Sequence, residues 1–213
     1  ALSGSYTCCT VRMGSIYMDV RKDRKYGEAA YSLGRRSART VMTKRLDALI
    51  RLLAPILVHT AEEAWAVHNN GSSNSSSVHL TLLPEVDSSV DWQAEQARWD
   101  RLMGLRDDVL RALEGLRQDK LIASNQEAAV TITCTDADAQ LIETYGREQF
   151  AALCIVSSID LAPGAASTTV TAQKSSAQKC QRCWNYWPSV GQDPEHTDLC
   201  ARCISVVAEV KHE

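Results

Sequence analysis

Four of the chain's eight cysteines are spaced for metal chemistry. Cys180-Gln181-Arg182-Cys183 and Cys200-Ala201-Arg202-Cys203 form two C-x-x-C knuckles with 16 residues between them. Each knuckle aims two sulfurs at one point, and the intervening loop lets the chain double back with the second pair. Zn²⁺ takes four thiolates tetrahedrally, and a filled shell leaves no position for a reactive water. The spacing predicts one structural zinc ion on Cys180, Cys183, Cys200 and Cys203, holding a fold and doing no chemistry. Two disulfides would use the same residues, but no signal peptide opens the chain and a cytosol keeps thiols reduced. His196 lies inside the loop as a substitute ligand, but it follows a turn-like Asp193-Pro194-Glu195, and four cysteines complete the shell without it.

The same segment carries other chemistry. Arg182 and Arg202 sit inside the two knuckles, and Trp184, Tyr186 and Trp187 crowd the first. Rings beside positive charge suit nucleic acid, because bases stack on them and guanidinium groups meet phosphates. A small module also needs aromatics around its metal. That role is the better reading for Trp187, while Trp184 is open between the two. The densest charge cluster is Asp19–Lys25, with Arg21, Lys22 and Arg24; its alternating signs allow intrahelical pairs or a phosphate-reading edge. Cys134 and Cys154 lie in apolar segments and read as buried thiols. Cys8 and Cys9 have no motif spacing. No Walker loop, G-x-G-x-x-G, H-E-x-x-H or G-x-S-x-G occurs, and His59, His68, His79 and His212 form no recognisable pairing with a nucleophile. No catalytic residue is assigned.

The chain has 213 residues, enough for one large or two small domains. It contains no apolar run of membrane-spanning length. Its net charge of −3 hides an asymmetry. Residues 1–54 hold 11 Lys/Arg against 4 Asp/Glu, and residues 55–173 hold 7 against 17. A basic end on an acidic chain suits a polyanion-binding face, and equally a solvated helix surface.

These side chains need elements to position them. Residues 35–54 have the period of an amphipathic helix, with Met42, Leu46, Leu49, Ile50, Leu53 and Leu57 on one face and Arg35, Arg36, Arg39 and Arg45 mostly on others. Pro55 should kink it, and the pattern resumes through Ile56 to Trp65 with Glu62 and Glu63 outward. Asn69–Ser77 reads as a mobile loop, and its acceptor-like Asn70 and Asn74 as accidents of composition. Val78–Leu83 reads as extended. Asp91 looks like the cap of a long helix whose stripe runs Trp99, Leu102, Met103, Val109, Leu110, Leu113 and Leu116, with one polar break at Arg106. That stripe should pack on the first helix as an antiparallel bundle. Ala128–Cys134 alternates like a strand, Asp136–Gly146 reads as a helix capped by Asp136, Ala152–Leu161 as a second strand, and Ala162–Ser176 as a linker.

Several of these strings resemble one family. Ser15-Ile16-Tyr17-Met18-Asp19-Val20-Arg21-Lys22-Asp23-Arg24-Lys25-Tyr26 resembles the L-S-x-F-Y-x-D-x-x-K-D-R-x-Y segment of bacterial isoleucyl-tRNA synthetases. The stretch from Leu52 through Pro55, His59, Glu62 and Glu63 to Trp65, then Ser77–Leu80, Asp119–Ile122 and the two knuckles with Trp184, follow in the family's order. The resemblance runs from about residue 13 to 207. It departs at residues 1–12, at Ile16 where the family has Phe, and at Ala123-Ser124-Asn125-Gln126 where it has a Gly-x-Ser-Leu run.

The resemblance implies a mainly α fold. A helical anticodon-binding domain would occupy 13–120 as an antiparallel bundle, a small α+β connector 121–161, a linker 162–178 and a zinc module 179–210. It implies a cytoplasmic monomer partnered by tRNA(Ile) and by the parent's catalytic and editing domains, with no membrane role. ATP would serve only the catalytic domain, whose HIGH-type and KMSKS-type signatures do not occur here. Arg21, Lys22, Arg24, Arg35, Arg36, Arg39, Arg182, Trp184 and Arg202 are the candidate RNA contacts. Two rivals stand beside this reading: a DNA-repair glycosylase, whose zinc finger also uses two C-x-x-C pairs, and a non-enzymatic zinc-stabilised interaction module.

Overall fold

The computed structural model describes residue 4, residues 7–69 and residues 77–210. The chain is mainly helical. In order the elements are α1 (Cys8–Met18, wound as a π-helix), α2 (Lys22–Gly27), α3 (Leu33–Leu53), α4 (Val58–His68), α5 (Trp92–Gln118), β1 (Ala128–Thr133), α6 (Asp136–Tyr145), α7 (Arg147–Cys154), β2 (Ser158–Ala162), β3 (Thr169–Lys174), β4 (Gln178–Lys179), β5 (Tyr186–Trp187) and α8 (Ala201–Val210). They fall into two compact units, Ala30–Asp91 and a larger one made of Ala1–Ala29 with Trp92–Glu213.

In the smaller unit, Ser32 caps α3 by accepting a hydrogen bond from the Arg35 N–H at 3.2 Å. Pro55 ends the helix outright and does not kink it: α3 stops at Leu53, and α4 starts at Val58 after a turn. A proline lacks the N–H that would continue the ladder. Ile50 and Ala54 then bury against Ala61 and Val78. Of the predicted stripe only Ile50 is fully buried; Leu46 and Leu57 are about half exposed. Val78–Leu80 is a single 3₁₀ turn, not an extended piece. Its geometry is set by Glu62, which accepts from the Val78 N–H at 3.1 Å and the Ser77 hydroxyl at 2.9 Å. Glu62 therefore points to this turn, contrary to the outward reading, and Glu63 is exposed as read. Asn70 and Asn74 lie outside the described residues.

The larger unit is built on a three-stranded sheet ordered β2-β1-β3, with β1 parallel to β2 and antiparallel to β3. Alternation along β1 sends Ala128, Val130 and Ile132 to one face. Leu102, Leu105, Val109 and Leu113 recur at helical spacing on α5 and meet that face together with α6 and α7. The chain's one phenylalanine, Phe150, is fully buried among them, as are Cys134 and Cys154. Burial pushes the Cys154 thiol up to about 12.

Arg106, the break in the α5 stripe, donates to the Leu153 carbonyl at 3.0 Å and so serves the last turn of α7. Trp99 is 39% exposed, its ring packed edge-on with Tyr145. Thr135, not Asp136, caps α6, accepting from the Asp138 N–H at 3.3 Å. Asp138 itself is buried, held by Arg101 Nε at 2.7 Å and the Thr168 hydroxyl at 2.5 Å.

Two strand readings change. Residues 152–154 finish α7, which ends at Ile155 in the left-handed region (φ 59°), so β2 starts only at Ser158. The stretch read as a linker carries β3, whose Val170 and Ala172 pack on the core. Small and polar side chains at the other positions of β3 hide its alternation.

Candidate metal centre and nucleic-acid interface

The first knuckle is a tight turn on the β4–β5 hairpin. Gln178 pairs with Trp187 and Lys179 with Tyr186. The Cys180 N–H bonds the Asn185 carbonyl at 2.9 Å, and the Trp184 N–H bonds the Cys180 carbonyl at 2.8 Å. Closing the turn leaves Trp184 in the left-handed region (φ 65°), which side chains other than glycine seldom adopt. The second knuckle is the first turn of α8, entered from Cys200. A bond from the Gln181 N–H to the Asp198 carbonyl, 3.0 Å long, ties the two knuckles together.

The four sulfurs lie within 4.8 Å of one another, with Cys183 and Cys200 Sγ 3.9 Å apart. A tetrahedral Zn–S distance of about 2.3 Å gives an S···S edge of about 3.8 Å, so the quartet fits zinc. His196 is not in the cluster.

The electrostatics also suit a cation. Burial alone would raise the Cys180 thiol, but N–H groups of Cys183, Cys200 and Arg182 turned toward its sulfur bring it down to about 6. Cys183 and Cys200 are pushed up, by burial first and by neighbouring sulfurs next. Without metal the quartet cannot hold four negative charges; a bound cation displaces the remaining protons.

The arginines inside the knuckles point to α2. Arg182 Nη1 donates to the Gly27 carbonyl at 2.7 Å and to Cys203 Sγ at 3.5 Å. Arg202 forks onto Asp23, Nη2 to Oδ1 at 2.7 Å and Nη1 to Oδ2 at 2.5 Å. That carboxylate, ahead of the opposing effect of burial, raises the Arg202 guanidinium well above its usual range. Trp184 is 61% exposed, with Lys179 Nζ 5.3 Å from its ring centroid, while Trp187 packs against the cysteine cluster.

In the Asp19–Lys25 cluster, Lys22 pairs with Asp19 at 2.7 Å, Arg24 approaches Glu28 at 4.0 Å, and the Arg21 guanidinium lies 5.9 Å from the Tyr17 ring centroid. The larger unit thus gathers Arg21, Lys22, Arg24, Arg182, Trp184 and Arg202. Arg35, Arg36 and Arg39 belong to α3 in the other unit, where Arg36 and Arg39 are exposed and Arg35 is half-buried. Sequence reasoning missed Lys179, Asp23 and Gly27 as individual contributors. Lys179 had a signal, standing beside the knuckle; nothing local marks Asp23 or Gly27 as partners of residues more than 150 positions away.

Four clustered cysteines in a mainly helical chain, with an exposed tryptophan beside them, fit a structural zinc site. The zinc finger described as found in FPG and IleRS matches residues 177–206. The anticodon-binding domain of tRNA ligase matches residues 1–132, and the chain belongs to that family. That match includes residues 1–12, which the string comparison set aside.

Relatives named isoleucine–tRNA ligase include that of Syntrophotalea carbinolica, 41% identical over 211 residues, covering 94% of this chain and 22% of the relative. That of Carboxydothermus hydrogenoformans is 40% identical over 213 residues, covering 96% and 23%. That of Brachyspira hyodysenteriae is 37% identical over 207 residues, covering 93% and 22%. The chain thus spans about 22% of the length of the relatives it matches first. The match over residues 1–132 goes against the DNA-repair reading. Among the described residues no helix is long and apolar enough to cross a membrane.

Proposed function

We propose that this chain is the tRNA-binding portion of an isoleucine–tRNA ligase, holding the anticodon arm of tRNA(Ile) while a catalytic domain outside this sequence joins isoleucine to the tRNA at the expense of ATP. The observation that carries the reading is the tRNA-ligase anticodon-domain match over residues 1–132, followed in one chain by the matching zinc finger. The proposed mechanism is positional. Arg36 and Arg39, exposed on α3, meet phosphates and set a salt-dependent affinity. Arg21, Lys22 and Arg24 present a second basic edge.

Trp184 offers an open ring to an unstacked base, with Lys179 adding charge beside it. Arg182 and Arg202 serve the interface from behind, through α2. Zinc shapes the module and touches no reacting atom. The reading carries with it a cytoplasmic monomer working beside the parent's catalytic and editing domains.

Filter binding to tRNA(Ile), a non-cognate tRNA and duplex DNA at two salt concentrations tests the proposal. Arg36→Ala should weaken every tRNA alike and reduce the salt slope by about one. Trp184→Ala should cost about 1–3 kcal/mol, the usual loss for one stacked base. Duplex DNA binding as tightly as tRNA would sink the reading and favour the glycosylase-like one.

A further inference from the structure

Each knuckle contributes one arginine, and both arginines leave the metal site in the same direction. Arg182, from the first knuckle, touches the sulfur of Cys203 in the second and the Gly27 carbonyl. Arg202, from the second, takes both oxygens of Asp23. Four thiolates and one Zn²⁺ would carry a net charge of −2, which the two guanidinium groups offset in part, since Asp23 returns one negative charge to Arg202. Their outer ends are fixed by α2, a helix of six residues far away in sequence.

Gly27 lies against this fork. Its φ lies outside the left-handed region, so the backbone does not require glycine there. The space is tight on one side: an added Cβ would sit 2.9 Å from Asp23 Oδ1, which would have to move, and in ordinary contact with Arg202 Nη2 at 3.6 Å. Any side chain at 27 presses on the Asp23–Arg202 fork. The sequence thus supplies the acid, the gap and both arginines of one joint.

We propose that zinc loading and the docking of α2 are thermodynamically linked through Arg182 and Arg202, with Asp23 as a positioning residue that holds the Arg21, Lys22 and Arg24 edge against the zinc module. Arg182 joins the Cys203 sulfur to the Gly27 carbonyl, and Arg202 stands between two ligands of the second knuckle while gripping Asp23, so whatever fixes the knuckles fixes both arginines, and the arginines hold α2. By reciprocity, weakening the α2 end must weaken the metal. Residues just beyond a metal's ligands commonly alter its affinity by 10–100-fold when changed.

The linkage needs no RNA; its consequence for RNA binding rests on the proposed function. Zinc affinity of the 213-residue chain is measured by chelator competition. Asp23→Asn, nearly isosteric and remote from the ligands, should weaken zinc about 10-fold. Gly27→Val should do the same by crowding the fork. Arg202→Asp alone should lose more, and combining it with Asp23→Arg should recover most of the loss. Wild-type zinc affinity in both Asp23→Asn and Gly27→Val, or no recovery in the swap, overturns the linkage.

A second arm reads tRNA binding. Asp23→Asn should raise Kd severalfold with the salt slope unchanged, because Asp23 touches no phosphate, whereas Lys22→Ala should lower the slope by about one. An unchanged Kd in Asp23→Asn overturns the positioning role alone. Absence of tRNA binding by the wild type overturns the proposed function and leaves the chelator result standing.

Discussion

Replacing Cys180 with serine should empty the metal centre and unfold the module around it while the α5–sheet core survives. Cys180 is fully buried and accepts a hydrogen bond from the Cys200 N–H at 3.3 Å. A serine hydroxyl stays protonated near neutral pH and offers zinc no anionic ligand. Zinc binding to finger peptides contributes roughly 10–16 kcal/mol, so an equal share per ligand makes one thiolate worth about 3 kcal/mol, more than a hundredfold in Kd. The module has little else to fall back on. Its cluster is Cys180, Val190, Cys200 and Cys203, with Cys183, Trp187 and Leu199 packed on it, so only three of its seven members are not ligands. The core of Leu105, Val109, Ile132 and Phe150 shares no residue with it. Atomic absorption gives zinc per chain, and hydrogen exchange compares amides of 177–206 with those of 128–162. Expected are substoichiometric zinc, lost protection in the first range and retained protection in the second. Stoichiometric zinc at wild-type affinity would refute the four-thiolate assignment, and loss of protection in both ranges would refute the separateness of the cores.

Two further changes test the frame. Leu105 is fully buried between α5 and the sheet, so Leu105→Ala should cost about 2–5 kcal/mol in a urea melt; less than 1 kcal/mol would contradict that packing. Asp138 is held below the usual carboxylate range, by its bonds to Arg101 first, with burial opposing and Thr168 assisting. A depressed folded value means its contribution is present above the unfolded value of about 3.9 and is lost as pH falls through the folded one. Asp138→Asn should therefore cost about 1–2 kcal/mol at pH 7, discounted because the Arg101 side chain is half exposed, and the gap from wild type should shrink in acid. An equal gap at pH 7 and pH 3 would show that the charge is not what matters.

What the sequence made legible was whatever depends on local spacing. The knuckles, α3, α5, β1 and α6 follow from periods of three to four or two and from fixed ligand offsets, and each lies within a few residues of where the pattern puts it. What it concealed depends on distant partners. The α5 stripe says that a face is buried but not what covers it: periodicity suggests the first helix as its partner, whereas Leu102, Leu105, Val109 and Leu113 meet the sheet and α7. β3 is short of large apolar residues because it needs only Val170 and Ala172 to reach the core. Glu62 looks like a solvated helix carboxylate until the Ser77–Val78 turn arrives 15 residues later to use it. Asp138 looks like an ordinary helix-start acid until Arg101 and Thr168 close around it.

The arginines make the deeper point about reading charge. Composition counts them as equal members of a basic excess, yet their surroundings divide them. Arg182 and Arg202 spend donors on α2, Lys22 faces Asp19, and Arg51 faces Asp47. Arg36 and Arg39 are exposed on α3, and no ion pair among the described residues engages them. A phosphate competes with water at Arg36 but with a bidentate carboxylate at Arg202, and displacing a fork costs far more than displacing water. Salt-dependent affinity should therefore draw on Arg36 and Arg39, and on the solvent-exposed Lys22, but not on Arg202. Substituting Arg202 should appear as lost zinc and a displaced α2. A basic residue inside a metal knuckle is then evidence of what the module leans on before it is evidence of what it binds.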